Sequence, residues 1–253
     1  GVLGIPYAIS QVGITLGVIY IILIGLLVTG VHLIVGKIFL RTDSELQLVG
    51  LAKHYLGKKG GWFMAVLIYF VLMGMMVVYI IGEGETLASM FGWSSFWWSI
   101  GFFGLSAYLI YVGLDTIKKA ELVLTGAILS VIILIAGLSA PHINTANIEY
   151  INLAKLFFPY GVILFAFHGV TFVPEAGRLL EHDQEKFKKS IIISSIITIL
   201  AYIIFGAAVV SVTGQETTQV ATIGLGREIG QYMLLLGNIF AALAMGTSFL
   251  VLG

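Results

Sequence analysis

The chain of 253 residues is 59% apolar and only 10% charged, with no net charge. A soluble domain carries about 25% charged residues, so this composition excludes a soluble globular protein and a disordered one. The apolar residues run on continuously instead of alternating, which argues against an outer-membrane barrel. Zero net charge leaves no basic footprint for nucleic acid. The absence of cysteine excludes disulfides, thiolate metal sites and cysteine nucleophiles. What remains is an all-α polytopic membrane protein in contact with a lipid bilayer. The chain starts at Gly1 and stops at Gly253 inside an apolar run, and it reads as a fragment cut within the membrane at both ends.

A membrane helix needs roughly 20 apolar residues. The runs free of Asp, Glu, Lys and Arg are 1–36, 60–82, 86–114, 122–148, 156–174, 190–215 and 229–253. The first is too long for one span and contains Pro6 and Gly13, so it divides into a half helix near 1–11 and a span near 14–37. The run at 86–114 holds one span near 95–113, and the run at 122–148 ends its span near Ala140, before Pro141. The expectation is one half helix followed by seven spans.

Between the span at 14–37 and the run at 60–82 lies a loop with its own pattern. Ser44 and Gln47 have capping-box spacing, and Leu48, Leu51, Ala52 and Tyr55 share a helical face. A short helix on the membrane surface is expected there. Eleven of the thirteen basic residues fall in segments 37–59, 114–121 and 178–189, whereas the alternate loops hold only Lys155 and Arg227. The positive-inside rule places the eleven in the cytoplasm, with the N-terminal side cytoplasmic. Every later span then alternates without conflict. Trp62, Trp93, Trp97 and Trp98 fall near span ends, as an aromatic belt requires.

Self-comparison shows an internal repeat. Gly1-Val2-Leu3-Gly4-Ile5-Pro6-Tyr7-Ala8 aligns with Gly169-Val170-Thr171-Phe172-Val173-Pro174-Glu175-Ala176 at an offset of 168. An odd number of spans separates the copies, so the repeat is inverted. Residues 1–140 form the first unit and 155–253 an incomplete second one. Proline removes a backbone donor and glycine lowers the cost of non-helical backbone. Free backbone groups at membrane depth must line a polar cavity. A broken helix in each of two inverted repeats points to the central binding site of a secondary transporter.

The segment GVLGIPYAISQVG, Gly1–Gly13, resembles the first helix of amino-acid permeases of the amino acid/polyamine/organocation superfamily. The likeness is strongest to the amino acid/auxin and aromatic amino acid permease branches. Phe165-Ala166-Phe167-His168-Gly169 followed by Pro174-Glu175 is similar to their sixth helix, and ALAMGTSFLVLG, Ala242–Gly253, to their eighth. The resemblance implies a leucine-transporter-type fold of five-plus-five inverted repeats, truncated here to half of helix one through helix eight.

The same resemblance implies roles for individual residues. Gly1, Val2, Leu3 and Gly4 would meet the substrate carboxylate, and Phe167, His168, Gly169 and Thr171 would stand at the second break. Ala244, Thr247 and Ser248, with Gly1, would supply oxygens to a sodium ion. Hydroxyls in a span also bond commonly to their own helix.

Other candidates come from position alone. His168, near the bilayer midplane, is an ionisable group where such groups are functional by default. It could bind substrate, carry a coupling proton or pack beside the break. Glu175 could relay protons or gate, or pair with Arg178 three residues on. Tyr79 is a candidate to line the substrate pocket or to pack as an aromatic, and Glu83 and Glu85 read as solvated carboxylates at the outer end of the third helix, with a vestibule role as the alternative. His32 reads as structural.

The expected protein is a secondary active transporter of amino acids, neutral or aromatic, in the plasma membrane. It is coupled to a sodium or proton gradient and has no resident cofactor. Another small solute, such as a nucleobase or a quaternary amine, is the alternative on the same fold, and an ion channel a more distant one. An enzyme is not expected, because the chain lacks the His-Glu-x-x-His and Gly-x-Ser-x-Gly patterns.

Overall fold

The structure is a computed structural model that describes residues 1–42, 46–112, 115–180 and 183–252. Among them the chain is helical almost throughout. A 3-10 turn at Val2–Gly4 leads into α1 (Ile5–Ser10), and Gly13 separates α1 from α2 (Ile14–Leu40). Gly13 adopts φ 100°, and a Cβ there would collide with the Tyr150 carbonyl. No L side chain fits that turn, which is why the long first apolar run breaks there. The turn is locked further by the Asn152 amide, which donates to the Val12 carbonyl at 3.0 Å.

The helix α3 (Leu48–Phe91) contains two segments joined at Gly57, whose φ is 73°. The first is the expected short helix, with Leu51 and Ala52 buried and the Tyr55 hydroxyl 3.0 Å from that of Thr42. Its cap differs from expectation. Gln47 is the extended N-cap residue, not a residue of the first turn, and its side chain caps nothing. Ser44 lies outside the described residues.

The second segment of α3 runs past the expected end of its span to Phe91. A carboxylate ends an apolar run in a sequence, but it does not end a helix. α4 (Ser95–Val112) and α5 (Asp115–Ser139) follow, then the short α6 (Thr145–Glu149). α7 (Phe158–Ala166) and α8 (Val173–Leu179) are two halves of one span, Phe158–Leu179. α9 (Gln184–Thr213), α10 (Ala221–Ile229) and α11 (Gln231–Leu252) complete the chain.

Among the described residues seven helices are long and apolar enough to cross a membrane, the number that the apolar runs predict. Their outward faces carry Leu23, Leu26, Leu27 and Phe70, the last 80% exposed. Such a surface has lipid as its solvent. The protein is a multi-pass membrane protein. α1 packs between α7 and α9, with Ile5 and Ile9 buried against Ile24 of α2, Ile163 and Val210. α3 packs on α4 and α11, and α5 on α9 and α11. The main core, from Leu3 through Tyr79, Ile135 and Phe205 to Phe249, lies between these two groups.

Candidate functional site

The two breaks have the same local build. Gly1 precedes a 3-10 turn and then α1, with Pro6 as its second residue; Gly169 precedes the turn Val170–Phe172 and then α8, with Pro174 second. The residues that join turn to helix match in conformation: Gly4 has φ −85° and ψ −14°, Phe172 φ −88° and ψ −10°. Each proline stands in the first turn of a new helix, where a missing N–H costs nothing. Both prolines thus start the helix beyond the break and do not kink a continuous one.

α7 closes at Ala166, and Phe167, His168 and Gly169 follow as non-helical backbone. The His168 amide still reaches the Phe165 carbonyl at 3.1 Å. Tyr202 of α9 donates its hydroxyl to the Ala166 carbonyl at 2.8 Å and stacks edge-on to Phe167, with centroids 5.0 Å apart. The first break touches the second directly. A Cβ on Gly1 would lie 2.9 Å from the Cα of Ala166, so only glycine lets the two backbones approach this closely.

A cavity of about 370 Å³ opens where the breaks meet. It brings together Gly1, Val2 and Leu3 with Tyr79, His168, Ala244, Thr247 and Ser248. Apolar walls come from Met75, Ile128, Leu129, Ile132 and Phe165. A concave, largely apolar pocket with a few convergent polar groups is the usual form of a small-molecule site. Ser248 donates to the Ala244 carbonyl at 2.7 Å and Thr247 to the Leu243 carbonyl at 2.6 Å. Their hydrogens are thus committed to their own helix, while their oxygens retain lone pairs.

Four expected residues stand outside the lining. Gly4 packs against Val162, and Phe167 is buried beneath Tyr202. Gly169 faces His32 of α2, whose Cε1 would lie 3.5 Å from a Cβ there. Thr171 carries a buried hydroxyl with no hydrogen-bond partner. His32, read from sequence as merely structural, therefore stands beside the break and within electrostatic reach of His168. The Nε2 atoms of both rings are buried without a hydrogen-bond partner.

Glu175 is exposed, and it makes no ion pair with Arg178. The expected pairing of the two is thus absent. Asp183 pairs instead with Lys186 at 3.0 Å, at the start of α9. Its carboxylate accepts from the Lys186 amide, which holds it below the usual aspartate range.

Two residues escaped the sequence reading. Tyr202 sits unmarked in an apolar run, and nothing in one dimension shows that its hydroxyl serves an unwound carbonyl. Glu83 is not a solvated interfacial carboxylate but is 4% exposed, with Oε2 buried and unpartnered. Glu85 is half-buried.

A multi-pass bundle whose interrupted helices converge on one cavity has the architecture of a membrane permease, and comparison with known proteins agrees. The chain belongs to the tryptophan/tyrosine permease family, whose model matches residues 1–253. It is a transporter, not an enzyme. It is 25% identical over 264 residues to glutamine transporter 2 of Aliivibrio fischeri, covering 99% of this chain and 68% of that protein. It is 25% identical over 214 residues to tyrosine-specific transport system 1 of Haemophilus influenzae, covering 81% of this chain and 52% of that protein. The chain thus spans between half and about two thirds of the length of these relatives. No solved structure matches it.

Proposed function

We propose that the protein moves an amino acid, neutral or aromatic, across the cell membrane by alternating access, coupled to a sodium or proton gradient. The observation that carries this reading is the meeting of two like-built breaks, 168 residues apart, at one cavity. Five-plus-five inverted repeats of the leucine-transporter type account for it: the copies run in opposite directions, and their broken helices share one site. The names of the glutamine and tyrosine transporters support the substrate class.

The substrate's carboxylate would meet the first amides of the Val2–Gly4 turn, which have no partner within the turn. Its ammonium would meet carbonyls at the ends of the two breaks. Tyr79 and the apolar wall would hold the side chain. Backbone handles the part common to all amino acids, and the wall selects among them.

A coupling sodium would rest on the oxygens of Ala244, Thr247 and Ser248 with Gly1; a coupling proton would use His168, with Glu175 and Arg178 as relay or gate. The cavity reaches Leu124, Thr125 and Leu252, toward the end of the bundle that carries the basic loops. α10 covers the opposite end with Ala221 and Leu225 buried.

Uptake into liposomes tests the reading, with a panel of amino acids and separate sodium and pH gradients. Accumulation of one or more amino acids under one gradient is expected. Uptake of a nucleobase or quaternary amine, with no amino acid carried, overturns it.

A further inference from the structure

Glu83 occupies an unusual place. The stripe Met75, Tyr79, Gly82, Glu83 and Thr86 faces the interior of the bundle, and all but the half-buried Gly82 are buried. α11 lies antiparallel along it. A Cβ on Gly82 would sit 2.6 Å from the sulfur of Met245, and Asn238 donates to Ser89 at 2.8 Å. This register sets Glu83 level with Ala244, which lines the cavity, and one turn beyond the cavity residue Tyr79. From Glu83 to Phe91 the helix advances about 12 Å. The aromatic cluster Phe91, Trp93 and Trp98 lies beyond it, so Glu83 stands in the outer part of the span, where α11 covers it.

Among the described residues, no group on the packed elements compensates its charge. α4 and α11 carry no Asp, Glu, His, Lys or Arg, and their tyrosines, Tyr108, Tyr111 and Tyr232, are exposed. On α10, Arg227 and Glu228 are exposed. On α3 itself the titratable neighbours are Tyr79 and the half-buried Glu85. An uncompensated carboxylate in so dry a place is costly, and a carboxyl avoids the cost by holding a proton.

We propose that Glu83 is an intramembrane proton-binding site that couples proton movement to transport. It holds a proton while α3 and α11 are closed around it, as here. It exchanges that proton with water when the outer end of the cavity opens. This rests on the transport reading above and narrows its coupling ion to the proton, carried by a residue outside the substrate cavity.

The test uses the full-length protein in liposomes containing a pH-sensitive dye. Wild type should show amino-acid uptake raised by an inward proton gradient, with proton influx on adding substrate. Glu83→Gln, a permanent mimic of the protonated side chain, should keep substrate counterflow within about twofold while losing pH-driven accumulation and proton influx at least tenfold. Glu83→Asp should recover part of both. Retention of pH-driven accumulation by Glu83→Gln overturns the proposal. So does wild-type amino-acid uptake that ignores the pH gradient. Loss of counterflow together with flux in Glu83→Gln, unrescued by Glu83→Asp, assigns Glu83 to folding and also overturns it. If wild type carries no amino acid under any gradient, the transport reading itself fails.

Discussion

The hydroxyl of Tyr202 donates to the carbonyl of Ala166 at 2.8 Å, so one phenol holds the open end of α7 in place. Without it that carbonyl would face an apolar interior unsatisfied, which costs about 1–3 kcal/mol. Tyr202→Phe preserves the edge-on packing against Phe167 and removes only the donor. It should lower the thermal stability of the purified protein and weaken apparent substrate affinity by roughly tenfold, since about 1.4 kcal/mol is one decade. Thermal shift and uptake kinetics check both.

The contact between breaks predicts the behaviour of Gly1. A Cβ there meets backbone, the Cα of Ala166 at 2.9 Å, and backbone cannot swing aside as a flexible side chain can. Gly1→Val should therefore abolish uptake, and Gly1→Ala should reduce it, in full-length protein that still reaches the membrane. Surface labelling combined with uptake separates the two effects.

Ser248 tests the cation site without disturbing the fold. Its hydroxyl donates to the Ala244 carbonyl of its own helix and stands beside the Tyr79 hydroxyl, so Ser248→Ala should change stability by no more than about 1.5 kcal/mol. With a proton as coupling ion, the variant should keep the wild-type dependence of uptake on sodium and pH. A tenfold or greater loss of apparent sodium affinity would instead assign the site to sodium. Uptake titrated against sodium at constant pH provides the reading.

Asp183 predicts a pH dependence for the start of α9. Its carboxylate accepts the Lys186 amide and pairs with the Lys186 ammonium, so its folded pKa lies below the unfolded one. The sign follows from linkage: this stabilisation is complete above the ordinary aspartate range and is lost as pH falls through the folded value. Asp183→Asn can still cap the helix, yet it does not titrate. Melting of wild type and Asp183→Asn should therefore diverge least in acid and most near neutral pH.

Most of the fold was legible in one dimension because lipid imposes a one-dimensional rule. A span must be long, apolar and internally hydrogen-bonded, so the seven spans could be counted from runs of residues. The break at Gly13 and the paired motifs around Pro6 and Pro174 were legible for a related reason, since glycine and proline act on the backbone locally. The site was legible only in part. Backbone residues at the breaks could be named, but not which of them face the cavity: Gly1 does, whereas Gly4, Gly169 and Thr171 do not.

Charges misled where tertiary packing decides their solvent. Glu83 ends an apolar run and so resembles an interfacial carboxylate, yet α11 closes over it. Glu175 and Arg178 have ion-pair spacing, yet they make no pair with each other. The sequence by itself determined that the chain crosses a membrane many times and where glycine and proline interrupt its helices, because length, hydropathy and backbone freedom belong to local segments. Only the tertiary structure decided which groups share the cavity and which carboxyl lies dry, because burial is set by neighbours distant along the chain.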